Sequence, residues 1–138
     1  MRYMAILVCA AILAITASSK PAAAHHSFAA EFDGSKSVTL TGKVTKVEWT
    51  NPHAFFYIDV KDEKTNKVVN WAAELNSPNF LMRSGWTRDS MKIDDIVTVN
   101  GSLAKDGSPL LNARTVTTAA GKRLFAGSSE PTPPPSTK

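Results

Sequence analysis

Cysteine occurs once in the 138-residue chain, as Cys9, so no intramolecular disulfide framework exists and no Cys-x-x-Cys pair is there to hold zinc or run dithiol exchange. Long apolar stretches are also missing. The run from Met4 to Ile15 has twelve residues, far short of the roughly 20 that a membrane-spanning helix needs. There is no phosphate-binding glycine loop, no His-Glu-x-x-His helix and no Ser-His-Asp order, so acyl and phosphoryl transfer have no support in the sequence. Lysines at 43, 46, 61, 64 and 67 are scattered among acids, and no sustained basic stripe is present to supply affinity for a phosphate backbone. What remains is 43% hydrophobic, 20% charged and 8% aromatic. That is the composition of one ordinary soluble domain; it excludes a collagen-like, coiled-coil or wholly disordered protein, and the chain is too short for a two-domain enzyme.

The first 24 residues read as a secretory signal peptide: Met1-Arg2-Tyr3 is a short positive region, Met4 to Ile15 the apolar region, and Thr16 to Ala24 a small-residue stretch. Ala22 and Ala24 suit the −3 and −1 positions of a cut after Ala24, whereas a cut one residue earlier puts Pro21 at −3. Cys9 leaves with the leader. So do Arg2 and Lys20 with no acid, which lowers the formal charge from +4 to +2. The chain is therefore expected in the periplasm or outside the cell, with no membrane anchor after cleavage and no nucleic acid as partner.

The mature chain divides into an N-terminal arm over 25–36, carrying Phe28 and Phe32 as residues able to dock it, a folded domain over 37–125, and a Pro-rich tail over 126–138 too poor in apolar side chains to order itself. In the domain the apolar period is mostly two. Val38, Leu40 and Val44 alternate with polar residues, and the phase then slips to Val47 and Trp49, as a bulge makes it. After the turn Thr50-Asn51-Pro52-His53, a second strand turns Phe56, Ile58 and Val60 inward and Phe55, Tyr57 and Asp59 to the other face. Val68 to Leu75 gives a third strand. Ser77, Pro78 and Gly85 frame a short helix with an N-cap, a proline in the first turn and a stop. Ile96 to Leu103 and Asn112 to Thr118 are two further strands, and Gly121 to Phe125 either extends the last or returns as a short edge. The expected fold is all-β with one short helix: a five-stranded OB-fold-like barrel with its helix between strands 3 and 4. A three-stranded sheet packed on one helix, with a separate hairpin, has the same element order.

Two constellations could bind something. The three histidines lie in two places, His25 and His26 at the expected mature N-terminus and His53 in the turn after the first strand. A cut after Ala24 makes His25 the first residue, whose amine and ring Nδ1 can chelate one metal together; His53 adds a third nitrogen, a set that suits copper. A cut after Ala23 instead makes His26 the third residue, with amine, two amides and imidazole forming a square-planar copper or nickel site. Against both stands the plain alternative, a solvated chain start and a His53 that caps its turn. The second constellation is aromatic: Trp49, Phe55, Tyr57, Trp71 and Trp86. Phe55 and Tyr57, at alternate positions, are the pair least explained by a core, and could stack on a peptide, a glycan or a protein partner. The acids make no catalytic pair; Glu48 and Glu74 read as solvated carboxylates on neighbouring strands, and Asp94, Asp95 and Asp106 as turn residues.

His25-His26-Ser27-Phe28, Leu40-Thr41-Gly42-Lys43-Val44, Trp49-Thr50-Asn51-Pro52-His53-Ala54, Trp71, Glu74-Leu75, Ser77-Pro78, Leu81, Gly85-Trp86 and Val97 to Gly101 together resemble an uncharacterised family of secreted bacterial proteins with an OB-like barrel. The resemblance spans about His25 to Phe125. It departs at Ile93-Asp94-Asp95, where a glycine is expected before the aspartate. It implies export and a single small domain, with no assigned activity and no catalytic residues. The function expected is a small exported binding module, not an enzyme, that holds copper through His25, His26 and His53. The alternative is a barrel binding a peptide, glycan or protein partner on Phe55 and Tyr57 with no metal.

Overall fold

The computed structural model describes residues 28–127. The leader with its cleavage site, His25, His26 and the tail from residue 128 onward lie outside the described residues. Within them the elements run α1 (Phe28–Glu31), β1 (Phe32–Glu48), β2 (Phe55–Lys61), β3 (Val68–Glu74), α2 (Pro78–Arg83), β4 (Ile96–Ala104), β5 (Leu110–Thr117) and β6 (Arg123–Phe125).

The protein is mostly β, in one sheet of order β3-β2-β1-β4-β5-β6, with β3 also pairing β5. That last pairing is parallel, Ala73 opposite Leu111 and Glu74 opposite Asn112, and it closes β1, β2, β3, β5 and β4 into a ring of five strands. The period-two pattern explains which side chains fill it. Alternate residues of a strand face opposite sides, and Val44, Phe56, Ile58, Ala73, Val97, Val99, Leu111, Ala113 and Val116 are all at most 1% exposed and meet in one core. Full burial of Phe56 or Ile58 stabilises the fold by about 1.5–3 kcal/mol each. The phase slip read in the first strand is a register shift between Val44 and Lys46 against β2.

The bulge at Val44 is braced from outside the hairpin. Its N–H donates to the carbonyl of Asp95 at 2.8 Å, and its own carbonyl accepts from Asp94 N–H at 2.8 Å. Asp94 holds φ at 72° to make this exchange. A left-handed backbone there is what makes glycine the expected residue, and aspartate is one of the few side chains that tolerate it.

Helix α2 forms where its signals stand. The Ser77 hydroxyl accepts from Phe80 N–H at 3.4 Å, Pro78 opens the first turn, where no N–H is needed, and Leu81 points fully into the core. Of the two readings of Gly121 to Phe125, the short returning edge forms, with residues 123–125 paired to β5. Two features differ from the sequence reading. β1 begins at Phe32, inside the segment read as an arm, preceded by the single turn α1. Ala126 and Gly127, read as the start of the tail, are buried: Gly127 lies against the Phe80 ring, and its carbonyl accepts from Asn76 Nδ2 at 3.0 Å.

Outside the ring sits a second, smaller cluster. Phe28, Phe32 and Ala104 are buried together, with Leu110 packed on them, and the two phenyl rings stack with centroids 5.7 Å apart. Lys105 N–H donates to the Glu31 carbonyl at 2.9 Å. These contacts hold the start of the described chain against β4 and β5.

Candidate functional site

The turn before β2 is tied to the end of β3. Ala54 N–H donates to the Asn76 carbonyl at 3.2 Å, and Leu75 N–H to the Ala54 carbonyl at 2.8 Å. Thr50 Oγ1 closes the turn by donating to the His53 carbonyl at 3.0 Å. His53 is thereby carried beside Glu74. Its Nδ1 stands 2.6 Å from Glu74 Oε1, an ion-pair distance rather than a hydrogen bond of regular geometry. The Nδ1 atom is shut off from solvent, while the side chain as a whole keeps 29% of its exposure.

Glu74 is 8% exposed, although it sits on the face of β3 turned away from the core, since Ala73 and Leu75 point inward. Cross-strand partners share a face, and the register sets Glu74 in a row with Asn112 of β5 and Ser102 of β4. Glu74, Ser102 and Asn112 are the buried polar residues among those described. Asn112 Nδ2 donates to Glu74 Oε1 at 3.3 Å. Burial lifts the Glu74 carboxyl above the ordinary glutamate range, and the negative charge of Glu31 pushes the same way; His53, more strongly, and Asn112 pull it down.

Phe55 and Tyr57 share the outer face of β2, both half-buried. Tyr57 is engaged by its own neighbours: its hydroxyl donates to Glu48 Oε2 at 2.9 Å, and Lys46 Nζ lies 5.2 Å from its ring centroid. Desolvation, then the Glu48 carboxylate, raise its phenol above the usual range. The tryptophans go to packing. Trp86 is 3% exposed and its Nε1 donates to the Phe125 carbonyl at 2.8 Å; Trp49 meets it edge-on at 6.5 Å, and Trp71 packs against the core.

Sequence reasoning read Glu74 as a solvated carboxylate like Glu48. Glu48 does stay in a surface cluster with Lys46 and Tyr57, but Glu74 is buried. One signal was there: Trp71-Ala72-Ala73-Glu74-Leu75 places a lone acid in an apolar stretch. Among the described residues no three His, Cys, Asp or Glu side chains come together as a metal-holding group. A cleft where α1 meets the β4–β5 turn, lined by Ala30, Glu31, Lys105 and Asp106, holds none of the site residues read from the sequence.

Residues 12–111 match the model of a family described as a family of unknown function (DUF6152). No curated protein matches the chain.

Proposed function

The chain belongs to that family of unknown function, and we propose that it is an exported copper-binding module whose site joins His25 and His26 of the N-terminal segment to His53. The observation that carries this reading is the docking of α1. Phe28 and Phe32 are buried against Ala104 and Leu110, and Leu110 stands two residues along β5 from Asn112, about 7 Å. The chain entering at Phe28 is thus anchored on the side where His53 and Glu74 meet. The reading requires His25 and His26 to span from Phe28 toward His53, and three residues of chain reach at most about 10 Å.

The donor set explains the choice of ion. A chain cut after Ala24 begins with His25, whose α-amine and Nδ1 close a chelate on one metal. His53 adds a third nitrogen. Three nitrogens without thiolate favour a cupric ion over the harder, oxygen-seeking cations. The strand ring, with α2 between β3 and β4, has the order of an OB-fold, and we assign the domain to that class. The periplasm or the extracellular space is the compartment this reading requires.

The reading through Phe55 and Tyr57 has less behind it, because the Tyr57 hydroxyl and ring are already occupied by Glu48 and Lys46. Copper(II) titration of the exported chain, followed by electron paramagnetic resonance, tests the proposal. His53→Ala is expected to weaken binding at least about tenfold and to remove one nitrogen from the spectrum. Unchanged affinity and spectrum in that variant would overturn the site that joins His53 to the N-terminal segment.

A further inference from the structure

We infer that the outer face of β1, β4, β5 and β6 is a weak binding site for a neutral glycan. It goes beyond the proposed function and does not depend on it.

The register sets two rows of side chains across these strands. Thr39 lies opposite Asn100, Asn100 opposite Thr115, and Thr115 opposite Phe125; Thr41, Thr98, Thr117 and Arg123 follow one another in the same way. Cross-strand partners share a face, and here it is the outer one, because the alternating residues Val97, Val99, Val116 and Leu124 are buried. Every position of the two rows on β1, β4 and β5 is threonine or asparagine, and Arg123 at the edge is the charged side chain of the set. The outer face of β1 and β2 beside it carries Lys46, Glu48 and Asp59 instead. A sheet face that only meets water has no reason to exclude charge in a chain that is 20% charged.

The polar groups of this face are held in place before a ligand arrives. Asn100 Nδ2 lies 3.0 Å from Thr39 Oγ1, 3.2 Å from the Val38 carbonyl and 3.3 Å from Ser37 Oγ. The amide nitrogen is thus turned toward β1, and Asn100 Oδ1 is left as an acceptor with no partner among the described residues. The hydroxyls of Thr41 and Thr98 meet at 2.8 Å, a contact that uses one proton and leaves the other free to donate. Those of Thr115 and Thr117 have no partner among the described residues. Threonine is stiff at χ1, so little side-chain freedom is lost on binding. At the end of one row Phe125 is 51% exposed, while Trp86 Nε1 holds its carbonyl at 2.8 Å.

Charge and area choose the occupant. Four strands about 4.8 Å apart, with rows about 7 Å apart along them, give a patch on the order of 200 Å². A second copy of the chain needs about 800 Å² per partner for a stable contact. One arginine is too little to hold a phosphate backbone or an anionic lipid surface. A chain of neutral sugars presents hydroxyls that both donate and accept, together with apolar C–H faces that rest on an aromatic ring, and it matches the hydroxyl rows and Phe125 alike.

The test is nitrogen-15 NMR titration of the full exported chain with cellohexaose, maltohexaose and chitohexaose in turn, and with heparin as the charged control. With a neutral probe, amide shifts are expected at Thr98, Asn100, Thr115, Thr117 and Phe125 and not at Phe55 or Tyr57, saturating with Kd on the order of 1 mM. Phe125→Ala, and separately the pair Thr98→Val with Thr117→Val, should each raise Kd at least about tenfold. The valine pair keeps the β-branched shape that strands prefer, so its loss of binding at an unchanged thermal midpoint reads the hydroxyls and not the fold. No shift with any of the three neutral probes at about twenty times that concentration, shifts centred on Phe55 and Tyr57, binding of heparin alone, or an unchanged Kd in both variants would overturn the inference.

Discussion

His53 Nδ1 and Glu74 Oε1 meet at 2.6 Å across two segments 21 residues apart in sequence, a turn and the last residue of a strand. The pair exists because β3 is clamped on both sides. Phe55 sits opposite Glu74 in the antiparallel pairing with β2, and Asn112 sits opposite it in the parallel pairing with β5. A side chain on the outer face is thus enclosed by strands and by the turn that delivers the histidine.

The first prediction concerns acid. The Glu74 carboxyl is raised above 4.5, with burial as the leading cause, so the folded state holds that proton more tightly than the unfolded chain does. Its contribution is fully present below the unfolded value and is lost as pH rises through the folded one. Glutamine does not titrate. The stability of the unsubstituted chain relative to Glu74→Gln should therefore fall as pH rises from about 4 toward neutrality, measured by urea unfolding at a series of pH values. A difference that grows with pH over that window would contradict the assignment.

Gly101 supplies the second. It lies on β4 where that strand's register with β5 shifts, and a Cβ there would stand within van der Waals overlap of the Asn112 carbonyl oxygen and of a Leu111 methyl. Backbone cannot yield as a flexible side chain can. Gly101→Ala should cost about 3 kcal/mol or more, read as a lower denaturation midpoint, and should loosen the Asn112 support of Glu74. A stability within about 0.5 kcal/mol of the unsubstituted chain would show that β4 and β5 part easily.

A third prediction separates docking from ligation. Phe28 belongs to the small outer cluster and not to the main core, so Phe28→Ala should leave the domain folded while releasing α1. In a double-mutant cycle with His53→Ala, the two substitutions should be non-additive in copper affinity, with a coupling of at least about 0.5 kcal/mol. Strict additivity would mean that the arm and His53 serve different sites.

Much of this architecture was legible because strand periodicity and turn chemistry are local. Phe56 and Ile58 announce their face by alternation, Ser77 and Pro78 announce a helix start, and the slip from Val44 to Val47 announces a bulge. The departure at Asp94 also has a local cause in its positive φ. The buried state of Glu74 was not legible, since it depends on a parallel pairing 38 residues away. Nor was the burial of Ala126 and Gly127, whose composition reads as tail but whose carbonyls are taken by Asn76 N–H and Nδ2 and whose backbone rests on Phe80. His53 was singled out by residue type and by its turn after the first strand; its partner came from topology.

The most direct measurement is native mass spectrometry of the protein purified from the exported fraction without added chelator. The expected result is a chain that begins at His25 and carries one copper ion. A chain that begins at Ser27 or later, or one that begins at His25 and stays metal-free when copper is supplied, would contradict it.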